Sequence, residues 1–284
     1  MSSPSGLLKL EAKRFISIGK SGNIDYEITG SDEMKKAVTM TQVGIPVLIT
    51  SAINVSASHT VLIDVEDRLR LTLQSIEHWR SIPMVSYVVV CDGSGFDLRP
   101  YICTTGSDLS ECDCEVISFT NNKEKVRSKG KGYGEGEIIN YALRHSQVLQ
   151  GVRVFAKCTG KLWVENFSEC LKNFNQVAAF DFCGNIKPKY IHTRFYIVDK
   201  EFYMTDLAEL HHKVDDDNGF YLEHAFRDGL KKLKLSDYAM YPTPRVNGVS
   251  GSMGTTYNKR HPVKLIIRDI RLLVLIKLGK LFNV

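Results

Sequence analysis

Two lysines bracket a Thr-Gly turn in "VFAKCTGKLWV", residues 154–164: Lys157 near the end of an apolar run and Lys161 just beyond it. Ammonium groups in a water-poor setting attract opposite charge far more strongly than in bulk water. The chemistry such a pair suits is the holding of a negative charge. No carboxylate stands between Arg153 and Val164, so the segment offers no acidic metal ligand.

Other residues carry chemistry at similar places. Asp92 in "VVVCDGSG" follows an apolar run and precedes Gly93, Ser94 and Gly95. Its carboxylate at a strand end suits accepting hydrogen bonds from a base or a ribose; the competing role is capping the Asp-Gly turn. Thr50 and Ser51 in "TSAIN" offer hydroxyls to the same ligand. In "SKGKGYGEGE", Lys129 and Lys131 precede a helical pattern, where free N–H groups favour anions. That segment has neither P-loop spacing nor the full dinucleotide fingerprint, and a solvated loop is its alternative. Arg194 in "HTRFYIV" suits phosphate or sugar binding, or a structural ion pair.

Glu223 lies in "GFYLEHAF" among Phe220, Tyr221 and Phe226, whose burial would raise a carboxyl pKa and improve a general base. His224 or Asp217 could take that role, and a helix-surface glutamate is the plain alternative. Asp215 to Asp217 in "VDDDNG" form a literal Asp-x-Asp, expected as a solvated or acceptor-side loop rather than a metal site. His211 and His212 are adjacent on a helical pattern and so face different ways. Cys103, Cys112 and Cys114 lack the second close pair that a zinc site needs.

The elements that must position these groups alternate. "RFISIGKSGNIDYEITG" predicts a leading hairpin. Continuous apolar strands are expected at 45–53, 85–95, 114–120 and in "VRVFAKC", with helices over 66–80 and around Ile138, Ile139, Ala142 and Leu143. Runs of this kind predict an α/β fold, a mainly parallel sheet with helices on both faces and ligands beyond the C-terminal strand ends. "VAAFDFCG", "IHTRFYIV" and "YAMYPTPRV" are further expected strands; "TDLAELHHKV" and "GFYLEHAFRDGLKKL" are expected helices. "NGVSGSMGTTY" is a loop that could close over phosphates.

In order and character, "TSAIN", "EDRLRLTLQSI", "VVVCDGSG", "KGKGYGEGEIINYAL" and "AKCTGKLWVEN" resemble the GT-A (Rossmann-like) glycosyltransferases that build bacterial capsule and lipopolysaccharide, over roughly residues 45–250. "DDDNGFYLEHAFRDGL" is similar to the acidic segment that supplies the base in many inverting members. The resemblance implies sugar transfer from a nucleotide-sugar donor to a lipid-linked or growing polysaccharide acceptor. Many such enzymes carry an Asp-x-Asp metal motif where this chain has Lys157 and Lys161. The lysines are therefore expected to stabilise the departing phosphate in place of a divalent metal, with no other cofactor. Glu223 as base implies inversion.

Two rival functions remain open. One is a nucleotide- or S-adenosylmethionine-dependent transferase on a doubly wound sheet, although its Gly-rich turn should follow the first strand and "CDGSG" follows the second. The other is a membrane-bound scaffold that binds sugar without turnover.

Charge separates the C-terminal end from the rest. Residues 260–284 carry Arg260, Lys264, Arg268, Arg271, Lys277 and Lys280 against Asp269 alone, an excess equal to the whole chain's net +5. The neutral body argues against nucleic acid as a partner. Lys264, Arg268 and Arg271 fall on one helical face with Val263, Ile266, Ile267, Ile270, Leu273 and Val274 elsewhere, and the longest apolar run, Leu272 to Ile276, is too short to span a bilayer. The pattern predicts an amphipathic helix on an anionic membrane surface, the alternative being a helix docked on the body. Scattered cysteines and a polar start, "MSSPSG", point to the cytoplasmic side. The expected organisation is a lead-in over 1–44, a catalytic domain over 45–258 and a membrane-associating segment over 259–284.

Overall fold

The computed structural model describes residues 15–18, 24–27, 44–55, 60–102, 114–184, 188–230, 237–251, 253–257 and 262–282. The chain divides into two units, Met1–Val43 and Gly44–Val284. In the first, β1 (Phe15–Ile18) and β2 (Ile24–Glu27) pair antiparallel, Phe15 opposite Glu27, as the strand–turn–strand pattern predicts.

In the second unit the uninterrupted apolar runs become strands buried on both faces. These are β3 (Ile45–Ser51), β4 (Val85–Asp92), β5 (Cys114–Ser118) and β6 (Val154–Thr159), followed by a short β7 (Leu162–Val164), then β8 (Ala178–Gly184) and β9 (Pro188–Asp199). The six-stranded sheet runs β5-β4-β3-β6-β9-β8. Strands β3 to β6 are mutually parallel in their pairings, and β9 runs antiparallel to both its neighbours. β7 pairs antiparallel with β10 (Val246–Gly248) beside this sheet.

Alternate residues of each strand feed opposite cores. Val47, Ile49, Val88, Val90, Ala156 and Cys158 pack on one face under Ile76 and Trp79 of α1 (Val65–Ser81) and Phe167 of α4 (Phe167–Lys172). Between these two helices in the sequence come α2 (Lys123–Lys129) and α3 (Lys131–His145). Leu48, Val89, Cys91 and Phe155 pack on the other face under Ile139 and Ala142 of α3 and Phe226 of α5 (Leu222–Gly229). The fold is the mainly parallel α/β sheet covered on both sides that the sequence predicts.

Three segments depart from expectation. The glycine-rich "KGYGEGE" is helical rather than a solvated loop, because its glycines permit close packing: a Cβ at Gly136 would lie 2.2 Å from His211 Cβ, and one at Gly132 3.0 Å from Leu222 Cβ. Only Ala239 of "YAMYPTPRV" bridges the sheet, at Phe180, since Pro242 and Pro244 cannot donate to a ladder. "TDLAELHHKV" forms a wide π turn, Tyr203–Leu207, and a tight 3-10 turn, Leu210–Lys213. Of the three clustered cysteines, Cys103 and Cys112 lie outside the described residues, and Cys114 is buried at the start of β5.

The basic C-terminal segment is the helix α6 (Pro262–Phe282). Arg268 turns inward to Asp181 and the Phe182 carbonyl instead of joining a free basic face, and Asp269 accepts from the Thr243 N–H at 2.8 Å. Val263, Ile266, Ile267, Ile270 and Val274 remain about half exposed. Among the described residues no helix is long and apolar enough to cross a membrane.

Candidate functional site

The C-terminal ends of β3, β4 and β6 open onto a cleft of about 300 Å³. Thr50, Ser51, Gly93, Lys131, Lys161, Arg194 and Glu223 line it, so most of the residues expected at the site do meet there. Asp92, Lys129 and Lys157 are placed elsewhere, each for a visible reason.

Lys161 occupies the turn between β6 and β7 at φ 72°, a left-handed conformation uncommon for a residue with a Cβ. The turn is gripped from several sides. Gly160 N–H donates to the Thr50 carbonyl at 2.7 Å, Val249 N–H donates to the Lys161 carbonyl at 3.1 Å, and Ser75 Oγ and Trp79 Nε1 of α1 donate to the Leu162 carbonyl at 2.7 and 2.9 Å. The side chain is 3% exposed, and among the described residues nothing hydrogen-bonds its Nζ. Burial, with the nearby Arg68 charge, lowers its pKa from 10.5 to about 7, while Asp92 opposes the shift.

Arg68 is the second cation of this wall and was not anticipated. It is 6% exposed and donates only to carbonyls, from Nε at 2.8 Å to Ala52 and from Nη1 at 2.7 Å to Leu62. Carbonyl partners satisfy its geometry without cancelling its charge. A Cβ on Gly251 would lie 3.3 Å from Arg68 Nη1 and 3.7 Å from Lys161 Nζ, so both cations converge on one loop. The signal in the sequence was its place on α1: Arg68, Thr72, Ser75, Ile76 and Trp79 form the buried stripe, and of the apolar pattern Leu69, Leu73 and Ile76 only Ile76 is fully buried, the two leucines being partly covered.

Lys157 lies beneath the cleft, fully buried. Its three N–H donors go to Glu135 Oε1 at 2.5 Å, Thr159 Oγ1 at 3.0 Å and the Thr193 carbonyl at 2.8 Å. It has no donor left for a phosphate, which corrects its expected role as a direct counter-charge. Asp92 is likewise committed. One carboxylate oxygen accepts from the Ile53 N–H at 2.9 Å, the other from the Ser94 and Phe96 N–H groups at 2.8 and 3.3 Å. The turn-capping alternative describes it, and Ser94 reaches the cleft in its place.

The Lys129–Lys131 segment also differs from expectation. Asp216 Oδ2 accepts from the Lys131 N–H at 3.0 Å, and Asp216 N–H returns a bond to the Lys129 carbonyl at 3.0 Å. The first turn of α3 therefore already holds a carboxylate where an anionic ligand would bind. Lys129 Nζ donates to the His212 carbonyl at 2.8 Å, outside the cleft. The Asp-x-Asp loop thus serves as a latch: Asp215 binds Asn218, and burial raises the Asp216 pKa. Among the described residues no group of three His, Cys, Asp or Glu side chains is arranged to hold a metal ion.

Glu223, also on the cleft, accepts at Oε1 from Thr193 Oγ1 at 3.2 Å. Burial raises its pKa, and the charge of Glu135 adds to the rise. Arg194 forms the structural ion pair that was the alternative to ligand binding. It pairs with Asp181 at 3.4 Å and lies 5.2 Å over the Tyr257 ring, yet its buried Nε has no partner among the described residues. Ser51 Oγ, Asn121 Oδ1 and Asp216 Oδ1 are orphaned in the same way, so among the described residues four buried polar atoms without partners belong to residues lining this one cleft. Such atoms mark a place for a polar ligand or water.

No protein-family model matches the chain, and no curated protein does. Similar solved structures include WbbM, a bifunctional glycosyltransferase, at 11% identity and TM-score 0.43 over 84% of this chain and 45% of that one. They include the inositol-1-phosphate CTP transferase from T. maritima, at 12% identity and TM-score 0.43 over 84% and 98%. A cytidylyltransferase from Leptospira borgpetersenii serovar Hardjo-bovis (strain JB197) aligns at 11% identity and TM-score 0.37 over 83% and 97%.

Proposed function

We propose that the protein is an inverting glycosyltransferase that moves a sugar from a nucleotide donor to a lipid-linked or growing polysaccharide acceptor, using fixed cations in place of a metal. One observation carries this reading: a buried, unpaired Lys161 ammonium beside Arg68, in a cleft that Glu223, its pKa raised by desolvation, also lines. A site with an anion-binding end and a proton-accepting end suits displacement of a phosphate by a hydroxyl. As the bond from the anomeric carbon to the phosphate oxygen breaks, Lys161 and Arg68 face the charge that develops on the leaving group. The acceptor hydroxyl attacks from the other side and its proton passes to Glu223. The exposed apolar residues of α6, with the exposed Arg271 and Lys277, suit an anionic membrane surface carrying the acceptor.

The direct test is sugar transfer from a panel of nucleotide-sugars in excess chelator, with wild-type protein and Glu223→Gln. Transfer should persist in chelator and fall about 10²- to 10⁴-fold in the variant, with nucleotide affinity kept. Abolition by chelator with rescue by manganese, or normal turnover by the variant, removes the mechanism. For the membrane, I266N/I270N should abolish sedimentation with phosphatidylglycerol vesicles; unchanged sedimentation contradicts that part.

A further inference from the structure

Glu135 was not among the residues expected at the site, yet it is the most firmly held carboxylate on the cleft wall. It projects from the second turn of α3, with its side chain 19% exposed. A single oxygen, Oε1, accepts from Thr50 Oγ1 at 3.1 Å, Thr159 Oγ1 at 2.9 Å and Lys157 Nζ at 2.5 Å. Those donors come from the ends of β3 and β6, so two strands and a helix fix one rotamer. Among the described residues nothing hydrogen-bonds Oε2. Lys157, with all three donors used, pairs with the carboxylate and orients it: it acts as a positioning residue.

A pre-oriented carboxylate oxygen at the floor of a cleft is an acceptor waiting for donors, and its cost of ordering is already met by the fold. Lys161 and Arg68, which supply positive charge, line the same cleft, as does Glu223. An anionic group is repelled by Glu135 and belongs with the cations. What suits Glu135 is a neutral group rich in hydroxyls. We propose that Glu135 binds the hydroxyls of the transferred group, and that Lys157 holds it in place, so that the site selects a polyol attached to a nucleoside diphosphate over the nucleoside diphosphate alone. This rests on the reading of Lys161 and Arg68 as the phosphate site.

The test compares calorimetric binding of UDP, GDP and dTDP with that of UDP-glucose, GDP-mannose and dTDP-glucose, to wild type, Glu135→Gln and Lys161→Met. Hydrogen bonds to a charged group lead one to expect about a ten- to hundredfold loss of nucleotide-sugar affinity in Glu135→Gln, with nucleoside diphosphate affinity within about twofold of wild type. Equal affinity of wild type and Glu135→Gln for the nucleotide-sugar, while Lys161→Met loses both ligands, overturns the role of Glu135 and leaves the phosphate site standing. Wild type that binds no member of either series overturns the phosphate site and this inference with it. If Glu135→Gln leaves Lys157 too poorly paired to fold, the double variant Glu135→Gln/Lys157→Met removes both buried charges and is read in the same way.

Discussion

The chain presents two Gly- and Lys-rich segments that both had the makings of an anion site, and they end in different surroundings. At the turn after β6, Lys161 is buried and unpaired, with Arg68 beside it bonded to carbonyls alone. At the start of α3, the N–H of Lys131 is already bound by Asp216, and Lys129 is spent on the His212 carbonyl. Glycine and lysine are present in both. The difference lies in whether the protein supplies its own anion and whether water is excluded. Asp216 fills the N–H site at the start of α3, whereas Asp92, itself bound to backbone N–H groups, only partly offsets the two buried cations at the β6 turn, which gain most from an incoming charge.

Removing each cation sharpens this contrast. Lys161→Met should weaken nucleoside diphosphate binding by about ten- to a hundredfold, as expected for loss of a charge-assisted bond in a desolvated site. The same change should stabilise the ligand-free protein at neutral pH, because it removes an ammonium that burial makes unfavourable. The sign follows from the lowered pKa: between about 7 and 10.5 the unfolded chain holds a proton on Lys161 that the folded chain lacks, so wild-type stability rises with pH across that window. Thermal melts with and without nucleotide, in both proteins from pH 7 to 10, check both statements. At the small end, Lys129→Ala should change nucleotide affinity by less than about twofold, since its ammonium is exposed to solvent and outside the cleft. A large loss there would collapse the distinction between the two segments.

Much of this arrangement was legible in the residues themselves. Continuous apolar runs at Val47–Ile49 and Val88–Cys91 specify strands covered on both faces, and with intervening helices they imply the strand-end cleft. Lys161 and Glu223 stood out because a basic turn after a buried strand and an acid among aromatics are locally unusual. What stayed hidden depended on distant partners. Asp92 looked available until the Ile53 and Ser94 N–H groups claimed it, and nothing near Lys157 in the sequence announces that Glu135, twenty-two positions earlier, takes its charge. Arg68 was masked because helical periodicity draws attention to Leu69 and Leu73, while the polar stripe is the one turned inward. Asp216 lies eighty-five positions from the Lys131 N–H it caps, and Gly132 and Gly136 favour a loop by propensity until tertiary packing makes their missing side chains an asset.

The same logic separates the two ends of α6. Arg268 and Asp269 fasten it to the body through Asp181 and Thr243, a pairing that requires knowing which strand edge lies opposite. The apolar positions it leaves exposed follow directly from their helical spacing in the sequence.

If buried Lys161 supplies the charge for the donor's phosphates, nucleoside diphosphate affinity must depend on pH. The free protein's Lys161 has a pKa of about 7, lowered by burial and Arg68 and held up by Asp92, and a bound diphosphate must raise it, so binding above pH 7 draws in a proton. Calorimetry with the preferred diphosphate should show affinity falling about tenfold between pH 7 and 8.5, with proton uptake that grows over the same range, and Lys161→Met should bind weakly with a flat profile. Affinity independent of pH in the wild type, or a Lys161→Met protein that binds as tightly as wild type, would contradict it.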